Sequence, residues 1–315
     1  MSNNRIGIDL GGTKIEAIIM NGEGEITHRL RVDTPKQDYE QALSTIKQLV
    51  LNIEQEAGIA TTLPIGLGTP GAISFKTGLM KNCNSTCLNG KPLRQDLEAF
   101  LARPVRIAND ADCFTLSEAI DGAAMDADVV FGVILGTGVG GGICIHGQLV
   151  QGVNAIAGEW GHNPVALSEL ADIEEMWAQL PHKQSRRCYC GRKNCVEAWL
   201  AGPAFELSYE TLAGQKRHAA DIVELAQRND SCAALVLDSY HKMLAMALSN
   251  VINILDPEVI VLGGGMSNTT SLYTEVPKNL ATYVFSDRVD TKIVKARHGD
   301  SSGVRGAAWL WQQRR

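Results

Sequence analysis

Apolar residues near the start of the chain fall in two runs, Ile6 to Leu10 and Ile15 to Met20, separated by Gly11-Gly12-Thr13-Lys14. Short, densely apolar runs read as buried strands, and a glycine pair between them as a hairpin turn. Asn21 to Glu25 is a turn cluster, and Ile26 to Val32 predicts a third strand, completing a meander. From Tyr39 to Ala57 the spacing becomes helical, with Ala42, Ile46, Leu49, Val50 and Ile53 on one side. Leu63 to Gly68 predicts a strand running into the sharp loop Gly68-Thr69-Pro70-Gly71. Asp96 to Ala102 reads as a short helix and Val105 to Ala108 as a strand ending at Asn109-Asp110-Ala111-Asp112. A helix over Ala111 to Ala124 follows.

The opening theme then returns. Val129 to Leu135 predicts a strand that breaks at Gly136 to Gly142, resumes as Ile143-Cys144-Ile145 and turns at His146-Gly147. Two copies of one unit suggest two similar domains with a nucleotide between their glycine loops, although glycine-rich turns also recur by coincidence. Beyond it, Ala219 to Gln227 and Ala233 to Leu255 are periodic helices, the second stopped at Asp256-Pro257. Glu258 to Leu262 predicts a strand opening into Gly263-Gly264-Gly265, with a helix over Leu272 to Leu280 and a strand over Thr291 to Lys295. Gly303 to Gln312 is the closing helix. The expected division is 1–124 and 125–298, with 299–315 packing back on the first domain and a metal-binding insertion over about 158–200.

Composition narrows the class. The 315 residues suffice for two domains, and a net charge of −6 without basic runs argues against nucleic acid as the partner. No stretch approaches the roughly 20 apolar residues of a membrane helix. A strand within a few residues of Met1 leaves no room for a signal peptide, so the cytoplasm is the expected location. Eight cysteines then suggest reduced thiols and a metal site in place of a disulfide framework.

Candidate chemistry sits at the strand ends. Gly11 and Gly12 let the backbone turn with φ > 0 and offer N–H groups to an anion, Thr13 and Lys14 add a hydroxyl and a cation, and Asp9 reaches a phosphate-bound Mg²⁺ through water. The plain alternative is a hairpin turn. The P-loop string G-x-x-x-x-G-K-[ST] is absent. His162 with Cys188, Cys190 and Cys195 supplies the Cys₃His composition of a closed structural Zn²⁺ site; a reduced cysteine cluster beside a core histidine is the alternative. Cys83, Cys87, Cys113, Cys144 and Cys232 read as packing residues. Asp110, between strand and helix, projects as a base or caps the helix, with Asp112 its rival for the cap.

The strings Asp9-Leu10-Gly11-Gly12-Thr13-Lys14, Gly158-Glu159-Trp160-Gly161-His162 and Cys188-x-Cys190-Gly191-x-x-x-Cys195-x-Glu197 resemble the ROK family of sugar kinases and sugar-responsive regulators. Asn194 stands where that family usually has glycine. The resemblance implies an α/β, two-domain actin/hexokinase-like (ribonuclease H-like) ATPase fold with an interdomain active-site cleft. It implies ATP with Mg²⁺, structural Zn²⁺, a small-molecule sugar and a homodimer. Gly11, Gly12, Thr13, Lys14, Gly136, Thr137 and Gly138 would meet phosphates, and Gly264 and Gly265 the nucleoside. Asp110 would be the general base, with Asn109, Glu159, His162 and Glu197 on the sugar. Asn84 and the Gly71 backbone are further sugar candidates. Within the family, the strings Gly158 to Pro164, Asn84 to Gly90 and His298 to Trp311 look closest to bacterial fructokinases of the manno(fructo)kinase type. The expectation is therefore phosphorylation of fructose at the 6-hydroxyl, with mannose as a second substrate. Glucose, allose or an N-acetylhexosamine is the alternative substrate. A non-catalytic sugar-sensing regulator is the alternative class, disfavoured because the phosphate loop begins at Gly11 and leaves no room for a helix-turn-helix extension.

Overall fold

A computed structural model describes residues 3–35, 38–167 and 185–312. Part of the expected metal-binding insertion, 168–184, lies outside the described residues. The chain opens as the meander β1 (Arg5–Leu10), β2 (Lys14–Met20) and β3 (Ile26–Asp33), with Asp9 opposite Glu16 in the β1–β2 register. Helix α1 (Tyr39–Glu56) starts at the Asp38 cap and buries the apolar face read from the sequence, together with Tyr39 and Leu43. Strand β4 (Ile65–Thr69) runs parallel to β1, and the two-residue strands β5 (Ala72–Ile73) and β6 (Met80–Lys81) form a small hairpin that alternation could not signal. Helix α2 (Leu93–Leu101) begins three positions before the expected Asp96, because Leu93, Leu97 and Leu101 form its buried stripe. Strand β7 (Val105–Asn109) leads into α3 (Asp110–Ile120), which ends before the expected Ala124. The sheet order is β3-β2-β1-β4-β7.

Strand β8 (Val129–Leu135) is followed by β9 (Val139–Ile145) and β10 (Gln148–Leu149). The predicted glycine loop is thus shorter than read, since Gly140, Gly141 and Gly142 belong to β9. The reason is packing. A Cβ on Gly141 would lie 2.7 Å from the Trp160 ring, and one on Gly142 would lie 2.5 Å from Thr115 Oγ1 and 2.8 Å from the Ala111 carbonyl. Next come α4 (Glu197–Leu200), α5 (Gly202–Ala213), α6 (Ala219–Gln227) and α7 (Ser231–Leu255). Helix α5 was not expected, because its few buried side chains, Phe205, Ser208 and Tyr209, make a weak stripe. Strand β11 (Val259–Gly263), α8 (Leu272–Tyr283) and β12 (Lys292–Lys295) complete a second sheet of order β10-β9-β8-β11-β12. Helix α9 (Ser302–Trp309) closes the chain.

Among the described residues the chain forms two compact units, Met1–Asp128 with Gly142–Ala157 and Arg297–Arg315, and Val129–Gly141 with Gly158–Ala296. A single cut near Asp128 does not divide it, because Gly142–Ala157 returns to the first unit through the contact of Gly142 with α3. In the first unit α9 lies at backbone distance from its neighbours. A Cβ on Gly7 or Gly66 would overlap the carbonyl oxygens of Val304 and Ala307, and one on Gly306 would overlap that of Cys113. The same helix is tied down by charge. Glu118, fully buried, accepts from the Arg297 and His298 amides and from Ser302 Oγ, and Arg305 pairs with Asp121. No described helix is long and apolar enough to cross a membrane.

Candidate active site

In the first unit, the Gly11 amide donates to the Lys14 carbonyl at 3.1 Å, closing the turn between β1 and β2. Neither Gly11 nor Gly12 has a positive φ, contrary to the reading of a left-handed turn. Glycine serves bareness here. A Cβ on Gly11 would press on the Lys14 carbonyl oxygen at 2.9 Å, whereas Gly12 has nothing within 4 Å. Gly12, Thr13 and Lys14 are all exposed. Thr34, which the sequence reading missed, holds this loop from just beyond β3: its hydroxyl donates to the Gly11 carbonyl at 2.7 Å and its amide to the Thr13 carbonyl at 2.9 Å. At the end of β1, burial and then the neighbouring carboxylates of Asp110 and Glu16 push the Asp9 carboxyl up to about 7.

Asn109 and Asp110 sit where β7 becomes α3. Asn109 Oδ1 accepts from the Ala111 amide at 2.9 Å and its Nδ2 donates to the Gly71 carbonyl at 3.1 Å. Asn109 is therefore the helix cap, leaving the Asp110 carboxylate exposed in the first turn, where its Oδ1 also accepts from the Ala111 amide at 2.8 Å. Asp112, the rival cap, is buried instead. Gly71 is fixed by its own backbone: φ is 77°, and a Cβ would strike Cys83 Sγ at 2.6 Å. Asn84 is exposed and spends its carbonyl on the Ser85 amide at 2.8 Å. The neighbouring Asn89 shapes that loop through paired bonds with the Cys83 backbone, both 2.9 Å.

In the second unit, the Gly136 amide donates to the Gly138 carbonyl at 2.9 Å, with Thr137 exposed at the tip. This loop is held from outside. The Val139 amide donates to Glu197 Oε2 at 3.1 Å, the Gly202 amide to the Gly136 carbonyl at 2.8 Å, and Trp160 Nε1 to the Gly140 carbonyl at 3.0 Å. Gly138 is bare because a Cβ would lie 2.8 Å from Glu197 Oε2. The two remaining glycines divide their work. Gly264, with φ of 79°, lets the end of β11 rest on the Leu135 backbone, where a Cβ would find atoms at 2.5 Å; Gly265 has nothing within 4 Å.

His162, Cys188, Cys190 and Cys195 present their donor atoms within 4.8 Å of one another. Cys190 Sγ lies 3.6 Å from Cys195 Sγ, and Cys188 Sγ lies 3.5 Å from His162 Nδ1. Those spacings match the edges of a tetrahedron, about 3.5–3.8 Å, around an ion held at Zn–S and Zn–N distances. Cys190 is poised as a thiolate: bonding from the Arg192 backbone lowers it to about 6. Burial raises Cys188 to about 12, so a bound ion must displace its proton. Asn194 has φ of 56°, the left-handed conformation that lets it stand in for glycine. The donor set thus fits Zn²⁺. Its His162 Nε2 points away, 3.1 Å from the Tyr189 hydroxyl and 4.0 Å from Glu159 Oε2.

A family model described as ROK matches residues 5–314. An N-acetyl-D-glucosamine kinase of Vibrio atlanticus is 42% identical over 305 residues, covering 96% of this chain and 98% of that protein. The solved ROK hexokinase from Thermus thermophilus superposes with a TM-score of 0.82 at 28% identity, over 97% of both chains. A ROK family glucokinase from Streptomyces griseus, solved with glucose and AMPPNP, gives a TM-score of 0.75 at 25% identity over 98% of both. The two-sheet α/β architecture is that of these actin-like ATPase relatives.

Proposed function

The chain belongs to the ROK family, and from that premise we propose that it transfers the γ-phosphoryl group of ATP to the 6-hydroxyl of N-acetyl-D-glucosamine. The observation that carries the choice of sugar is the 42% identity to a relative of that name, spanning 96% of this chain. This favours the N-acetylhexosamine alternative over fructose, which rested on three short strings. Short strings sample a few loops, whereas the 42% identity is measured over 305 residues and so over both units of the chain.

Asp110 takes the proton of the attacking hydroxyl while the hydroxyl oxygen bonds to the γ-phosphorus and ADP leaves. Its exposure at the first turn of α3, with Asn109 doing the capping, supports that role. Glu159, His162 and Glu197 accept or donate to sugar hydroxyls, with Asn109, Asn84 and the Gly71 backbone as further contacts. The open loop Gly11 to Lys14 and the tip Gly136 to Gly138 present N–H groups to phosphate oxygens, and Gly265 lies against the nucleoside. Asp9 fits a hydrated Mg²⁺ carried by the nucleotide, since burial and the neighbouring Asp110 carboxylate leave its own charge in need of a cation. Mg²⁺, when bound, neutralises charge on the phosphates. Zn²⁺ on the Cys₃His set serves structure, because all four donors are protein groups and no position is left open.

The test is ADP release with Mg-ATP against N-acetylglucosamine, N-acetylmannosamine, glucose, mannose, allose and fructose. The highest kcat/KM is expected with N-acetylglucosamine. A preference for fructose restores the first reading, and binding of sugar without turnover marks a sensor.

A further inference from the structure

Tyr189 stands between two of the metal-site cysteines and belongs to none of the roles above. Its side chain is 76% exposed, yet its hydroxyl lies 3.1 Å from His162 Nε2 and its ring meets the imidazole edge-to-face, with centroids 5.2 Å apart at 78°. The hydroxyl bonds no other group among the described residues. Cys188 Sγ lies 3.5 Å from His162 Nδ1 and 3.7 Å from Glu197 Oε1, so the phenol, His162, Glu159 and Glu197 are gathered around one cluster.

His162 Nδ1 faces the thiols, 3.5 Å from Cys188 Sγ. With Nδ1 on the metal, the ring hydrogen sits on Nε2, and Nε2 becomes a single donor. Glu159 Oε2, at 4.0 Å, is too far to use it; the phenol oxygen does. We propose that Tyr189 is a surrogate hydroxyl: in the sugar-free protein it occupies the His162 Nε2–H that a sugar hydroxyl takes on binding, and so sets the affinity threshold for the sugar. The inference rests on the reading that His162 faces the sugar. One hydrogen cannot serve two acceptors well, so the phenol must swing into solvent as the sugar enters. A bond to an exposed side chain is the one most easily exchanged.

The experiment compares wild type with Tyr189→Phe, which keeps the ring on His162 and removes the hydroxyl. Sugar Kd by calorimetry without nucleotide, KM for sugar and for ATP, and bound zinc would be measured. The expected result is a sugar Kd and KM lowered by about three- to tenfold, the worth of one neutral hydrogen bond, with KM for ATP and zinc content unchanged. A sugar Kd that is unchanged or raised overturns the proposal. Tyr189→Leu is the second variant; loss of zinc from both variants makes the residue structural and also overturns it. If wild type phosphorylates no sugar in the panel, the functional reading has failed. If wild type is active and Tyr189→Phe binds sugar no tighter, only this inference has.

Discussion

The loops Gly11 to Lys14 and Gly136 to Gly142 look like repeats in the sequence, and the structure holds them by opposite means. The first is closed by its own Gly11–Lys14 bond and by Thr34 just past β3, all within 24 positions of chain. The second has its own Gly136–Gly138 bond but is held further by Trp160, Glu197 and Gly202, groups on either side of the Cys₃His cluster in sequence. Glycine also means different things in each. Gly12 is bare because nothing is near it, whereas Gly141 and Gly142 are bare because something already fills the space. A glycine-rich run is therefore a record of close approach, and what approaches must be found before the run is assigned to phosphate.

The largest effect is expected outside both loops. If they only hold phosphate, Asp110→Asn should lower kcat by about 10²–10⁴-fold with sugar Kd kept; near-normal turnover would put the base elsewhere. Next is the support of the second loop. Cys190→Ser should lose bound zinc and lower Tm, with amide exchange accelerating at 136–141 and 195–202 but not at 9–16. Equal acceleration at both loops would erase the contrast between them. A smaller effect separates the glycines: Gly142→Ala should cost about 1–3 kcal/mol of stability by overpacking against α3, and Gly12→Ala within about 0.5 kcal/mol. Denaturant unfolding measures both. Thr34→Val should raise KM for ATP by about two- to tenfold through loosening of the first loop, with KM for sugar unmoved. The smallest is a pH effect. The folded chain holds the Asp9 proton more tightly than the unfolded chain does, so its contribution to stability is complete below about 3.9 and is lost as pH rises through about 7. In nucleotide-free protein, Asp9→Asn should flatten the fall in Tm over that interval, and an unchanged slope would show that Asp9 is not protonated there.

Periodicity sufficed for the meander, for α1 and for the capped helix at Asn109-Asp110, because there the local pattern and the tertiary contacts agree. The Cys₃His candidates were singled out by three thiols within eight positions together with the ROK strings, and their donor atoms do lie within 4.8 Å of one another. The fructose expectation rested on short strings, whereas the relative that matches over 96% of this chain is an N-acetyl-D-glucosamine kinase.

By itself, then, the sequence singled out the candidate residues and showed that two strand–loop–strand units share one chain, because composition and period are properties of local chain. Only the tertiary structure decided what each residue is for. It made Asn109 the cap with Asp110 exposed beside it, set Thr34 under one loop and Glu197 under the other, and placed Gly7, Gly66 and Gly306 where α9 must touch backbone. It also laid the Tyr189 hydroxyl on His162. Each of these depends on groups far apart in sequence meeting within about 3–4 Å, and no local pattern encodes such a meeting.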